Sequence, residues 1–115
     1  MDTAPYREKL EEEKKRLESE MASVGRPNPE VPGDWEAVPS SVGAEPDPID
    51  QAEAITSTEE NAAILADLEA RYGHVREALL RMDSSAYGLC DVCGESIEAE
   101  RLRADPAATT CKKHL

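Results

Sequence analysis

All three cysteines of the chain lie in its last quarter, and a histidine accompanies them. Cys90-Asp91-Val92-Cys93-Gly94 is followed, after sixteen intervening residues, by Cys111-Lys112-Lys113-His114. Two C-x-x-ligand pairs at that separation suit one tetrahedral zinc ion, each pair supplying two corners. An odd number of cysteines argues against a disulfide framework. Gly94 fits the metal reading, because glycine takes positive φ readily and turns its N–H toward a thiolate. For the second pair the sequence predicts a short helix, with Asp105 as cap, Pro106 at the first position and Ala107 to Lys113 continuing. Cys111 and His114 then share one face at i and i+3. The alternatives are free thiols, and a His114 that lies outside the site as a penultimate residue. Three thiolates, one neutral imidazole and Zn²⁺ sum to a charge of −1, which Arg101, Arg103, Lys112 and Lys113 are placed to offset. Four protein ligands leave no position for water or substrate, so the zinc is expected to be structural and the chain not an enzyme.

The remainder of the chain has little with which to build a large core. Its 115 residues include no phenylalanine, one tryptophan and three tyrosines. Stability must come from helix pairing and metal. Asp and Glu number 25 against 13 Lys and Arg, a net charge of −12. Such a balance disfavours direct nucleic-acid binding, which needs clustered basic residues, and suits a basic protein surface. The first residues are charged and carry no apolar run, so neither signal peptide nor membrane span is expected, and a cytoplasmic location follows.

Two helices are predicted. From about Thr3 to Val24, Leu10, Leu17, Met21 and Val24 recur at helical spacing, with Tyr6 one turn earlier and Lys14 interrupting the seam. Gly25 ends this helix. A second runs from about Asp50 to Ala86, where Leu65, Leu68, Tyr72, Val75, Leu79, Met82 and Ala86 step by three and four. Asn61 and Thr58 fall on its extrapolated seam, and His74 falls off it. Possible capping boxes at Thr56 and Ser57 leave open a restart near residue 57. Between the helices, residues 25–48 hold most of the eight prolines, and no regular element is expected there. Trp35, with Val31, Val38 and Val42, is nonetheless expected to pin this loop. Pairing Leu10 with Leu79 sets Val24 opposite Leu65. The predicted fold is therefore all-α: an antiparallel helical hairpin over residues 1–86, with a Pro-rich loop at about 25–48, and a zinc-finger module over 87–115. A monomer is expected, with a dimeric coiled coil on the same seam as the alternative.

Asp47-Pro48-Ile49-Asp50-Gln51-Ala52 reads as a helix start, with Asp47 as cap, Pro48 at the first position and Asp50 as a first-turn acid. It also places two carboxylates at the far end of the hairpin. Combined with Tyr87-Gly88-x-Cys-x-x-Cys-Gly, Ile97, Arg101-Leu102, Ala104 and Pro106-x-Ala108, the chain resembles the DksA/TraR family. The zinc half carries the resemblance from Tyr87 to Cys111. Members of that family bind bacterial RNA polymerase, their coiled coil entering the secondary channel and an acidic tip approaching the active centre. The resemblance implies a zinc-containing transcription regulator, with Asp47, Asp50 and Ala52 as tip residues and Cys90, Cys93, Cys111 and His114 as ligands. An adaptor that binds another protein through its helical rod is the alternative. Two departures stand out: a histidine where many relatives have cysteine, and a Pro-rich segment with Trp35 where a tight tip is usual.

Overall fold

The computed structural model describes residues 2–39 and 48–114. Along the chain it forms α1 (Ala4–Val24), β1 (Gly25–Pro27), β2 (Trp35–Ala37), α2 (Pro48–Asp83), α3 (Ala99–Ala104) and a 3₁₀ turn at Lys112–His114. These group into two compact units, one of residues 1–16 with 72–115, the other of residues 17–71.

In the unit of residues 17–71, Leu17, Met21, Leu65 and Asn61 are buried. The expectation of an irregular, all-α connection fails here. Residues 25–37 form a two-stranded antiparallel hairpin with Gly25 opposite Ala37, Arg26 opposite Glu36 and Pro27 opposite Trp35. The prolines do not prevent it, because they stand where no ladder donor is needed: Pro27 ends a strand, and Pro29 and Pro32 lie in the turn. That turn is closed by Asn28 N–H to the Asp34 carbonyl (2.9 Å) and Asp34 N–H to the Val31 carbonyl (3.1 Å), with Gly33 at φ +86°. Gly25 is required by close approach. A Cβ there would stand 2.7 Å from the Glu36 carbonyl oxygen and 2.9 Å from Leu65 Cδ2. The hairpin is fixed to α2 through Asn61, whose Nδ2 donates to the Val38 carbonyl at 2.7 Å, while Val38 N–H bonds the Val24 carbonyl at 3.0 Å. The pinning expected of Trp35 thus falls to Asn61, with Trp35 half-buried in β2. The contact of Gly25 with Leu65 agrees with the predicted register, and α2 is continuous through residue 57.

In the other unit, Asp2 Oδ1 accepts the Ala4 N–H at 3.1 Å and opens α1, with Pro5 in the first turn, where a missing donor is harmless. Arg7 pairs with Asp83 at 3.0 Å, and the Tyr6 and Tyr87 rings lie 6.0 Å apart. Leu10 and Val75 are fully buried and Ala78 nearly so. Leu79, Tyr72 and Met82 are half-buried, and His74 is exposed as expected. Helix α2 stops at Asp83, ahead of the expected Ala86. Ser85 adopts φ 63°, and the Ala86 N–H reaches back to the Arg81 carbonyl at 2.9 Å, a Schellman-type ending in which serine takes the position usually given to glycine.

Candidate metal centre

Tyr87 and Gly88 lead from α2 into a small knuckle. Leu89 bridges Ser96, Cys90 N–H bonds the Glu95 carbonyl (2.8 Å) and Ile97 N–H bonds the Gly88 carbonyl (2.7 Å). Gly94 lies at φ +74° as its place after the second cysteine predicts. Its N–H, however, turns to the Cys90 carbonyl at 2.9 Å. The Val92 N–H faces the Cys90 sulfur, at 3.4 Å.

The second pair is built differently from the expected helix. Asp105 does not cap a helix running through Lys113. It closes a single turn, with its Oδ1 accepting Ala107 N–H at 3.0 Å and its carbonyl accepting Ala108 N–H at 3.1 Å. Thr109 and Thr110 are then non-helical because their carbonyls are used elsewhere. Asp91 N–H bonds the Thr109 carbonyl at 2.8 Å, and Arg101 Nε bonds the Thr110 carbonyl at 2.6 Å. The His114 N–H to Cys111 carbonyl bond (3.0 Å) then forms one 3₁₀ turn. Residues at i and i+3 eclipse in such a turn, so Cys111 and His114 still face the same way. The helix of this region is α3, seated by Leu102, which is fully buried.

The four candidate ligand atoms converge within 4.8 Å of one another. Cys93 Sγ lies 3.8 Å from Cys111 Sγ. His114 Nδ1 lies 3.7 Å from Cys90 Sγ and 3.3 Å from Cys111 Sγ. Donors about 2.3 Å from the centre of a tetrahedron stand about 3.8 Å apart, so the spacing and the donor set both fit one structural Zn²⁺. None of the cysteines is in a disulfide. The imidazole presents Nδ1. Burial pushes the Cys90 thiol up, but N–H groups of Cys111, Cys93 and Val92 outweigh it and bring the thiol down to about 6. A thiolate is the form a metal takes. Glu98 accepts the Lys112 N–H at 3.1 Å, and its own amide and that of Lys112 hold its carboxyl below the usual range. Arg81 grips Asp91, between the first ligand pair, at 2.9 Å. Tyr87 OH donates to the Pro106 carbonyl at 2.7 Å. Of the four basic residues expected to offset the site, Arg101 bonds its framework, while Arg103, Lys112 and Lys113 are exposed. Arg81 is the contact that sequence reasoning missed, since nothing local marks a helix residue as the partner of Asp91.

Of the proposed tip residues, Asp47 lies outside the described residues, Asp50 is in the first turn of α2 and Ala52 is exposed. Among the described residues no helix is long and apolar enough to cross a membrane.

Residues 85–113 match a family model described as the prokaryotic dksA/traR C4-type zinc finger. The match ends one residue before His114 and is to a C4-type finger, whereas the three cysteines here converge with a histidine. Comparison with curated proteins gives no match. Among solved structures, the chain is similar to transcription factor DksA2 from Pseudomonas aeruginosa, with a TM-score of 0.72 over 97% of this chain and 78% of that one, at 20% identity. At that identity the likeness is one of fold.

Proposed function

From the premise that residues 85–113 are a zinc finger of the dksA/traR family, we propose that this protein is a transcription regulator that acts on bacterial RNA polymerase. The zinc finger is the observation that carries the reading. The fold likeness to a transcription factor over nearly the whole chain supports it. Cys90, Cys93, Cys111 and His114 hold one zinc as a structural support, and the closed ligand set favours a binding role over catalysis. The paired helices enter the secondary channel, and Asp47, Asp50 and Ala52 act near the active centre. A net charge of −12 suits a positively lined channel, and carboxylates brought close to a catalytic Mg²⁺ perturb its coordination.

The test is a pull-down of RNA polymerase with competition by another secondary-channel binder, joined to transcription in vitro. Asp47→Asn with Asp50→Asn keeps side-chain size and capping ability. Its expected result is modestly weaker polymerase binding and nearly complete loss of the regulatory effect. Regulation equal to wild type would reduce the two aspartates to helix caps. Absence of polymerase binding by the wild type would leave an adaptor for another protein.

A further inference from the structure

Cys111 sits in a segment with little structure of its own: a turn at residues 106–107, a non-helical stretch, and a 3₁₀ turn of three residues. Its two neighbours are nonetheless held from outside. On its N-terminal side, Arg101 Nε donates to the Thr110 carbonyl at 2.6 Å, and the same guanidinium reaches Thr110 Oγ1 at 3.4 Å. On its C-terminal side, Glu98 Oε2 accepts the Lys112 N–H at 3.1 Å. Both side chains come from the start of α3, where the Arg101 N–H and Leu102 N–H bond the Glu98 carbonyl at 3.0 and 3.1 Å. Buried Leu102 fixes that turn.

Glu98 occupies the N-cap position of α3 yet makes no side-chain capping bond. Aspartate, asparagine, serine or threonine would cap this helix better. What the longer glutamate does instead is reach across to Lys112.

We propose that Glu98 and Arg101 are positioning residues for the metal, a clamp that sets the backbone on both sides of Cys111. The proposal rests on the zinc reading of the four ligands. Ordering a free segment costs conformational entropy at every residue. A clamp made by α3 moves that cost from metal binding to folding. The bonds involve ionised groups, which makes them stronger than bonds between neutral partners. The guanidinium also brings positive charge to the framework of an anionic site.

The experiment measures zinc affinity of the full chain by competition with a chromophoric chelator, and records the ligand-field spectrum of the cobalt(II)-loaded protein. Arg101→Met and Glu98→Ala are each expected to weaken zinc binding by about tenfold to a hundredfold, the usual effect of removing an outer partner of a ligand. Glu98→Gln, whose neutral amide oxygen still accepts the Lys112 N–H, loses less than Glu98→Ala. Arg101→Lys, with one donor nitrogen in place of the two that bond Thr110, falls between. Arg103→Met, which removes an exposed charge from the same helix, leaves affinity unchanged. At cobalt saturation the bands of Arg101→Met and Glu98→Ala change in shape or intensity, whereas a purely structural role leaves them as in wild type. Helical circular dichroism, carried mostly by α1 and α2, shows whether each variant is folded, and either variant suffices if the other is not. Zinc affinities of Arg101→Met and Glu98→Ala within twofold of wild type overturn the clamp, as does an equal loss in Arg103→Met. A wild-type chain without stoichiometric zinc overturns the metal reading itself, and the clamp with it.

Discussion

Gly25 shows how one residue joins two kinds of structure. It ends α1, begins β1 and lies against Leu65 of α2, with no room for a methyl group. Because the nearer neighbour is a backbone oxygen, relief requires strand movement as well as a new Leu65 rotamer. Gly25→Ala is expected to destabilise by about 1–3 kcal/mol, as overpacking does, read as a lower urea midpoint at unchanged slope. An unchanged midpoint would mean that the hairpin yields freely. Tyr87 is the residue with a pH signature. Burial, then the neighbouring Tyr6 and Asp105, push its phenol up to about 12. A folded value above the ordinary one of 10 favours the neutral phenol in the native state. The stabilisation is therefore complete below pH 10 and is lost as pH rises toward 12. Ultraviolet titration should show one late-ionising phenol, absent from Tyr87→Phe; a wild type lacking it would sink this assignment.

Among the elements, the two long helices were legible because their apolar residues repeat at helical spacing over many turns. Leu10, Leu17, Met21, Leu65 and Val75 are buried as that period requires. Leu10→Asp and Val75→Asp, at fully buried positions, should each cost about 3 kcal/mol or more by burying an unpaired charge. His74→Asp, on the exposed face, should change little. Equal losses in thermal stability at all three would void the seam. The convergence of the four candidate ligands was legible for a different reason: ligand spacing is dictated by the ion, not by the surrounding fold. What was not legible depends on distant partners. Strands of three residues carry no alternation to read, and β1 and β2 exist through Gly25, Leu65 and Asn61. Asp105-Pro106 is a proper helix start by local rules. It was overruled because Asp91 and Arg101 take the carbonyls that a helix would have used.

For the molecule as a whole, the zinc ligands and the long helices are separate sources of order. The 21 residues of α1 and 36 of α2 contain none of the four ligands. Chelation is expected to release protection from amide exchange beyond about Tyr87 while most of the helical signal persists. Collapse of the entire helical signal on zinc removal would contradict that separation. The anchoring of Val38 to Asn61 has another consequence, one that concerns descent. Thirteen residues of helix separate Asn61 from Pro48, about 20 Å of rise. The ten residues leading from Val38 to Pro48 have a reach of about 33 Å. Ten residues suffice to span that distance, and closing a somewhat longer or shorter connection changes the entropy little. Changes of length short of Asp47 leave both anchors in place, so lineages are free to alter that part of the interval while the helices and metal ligands stay in register.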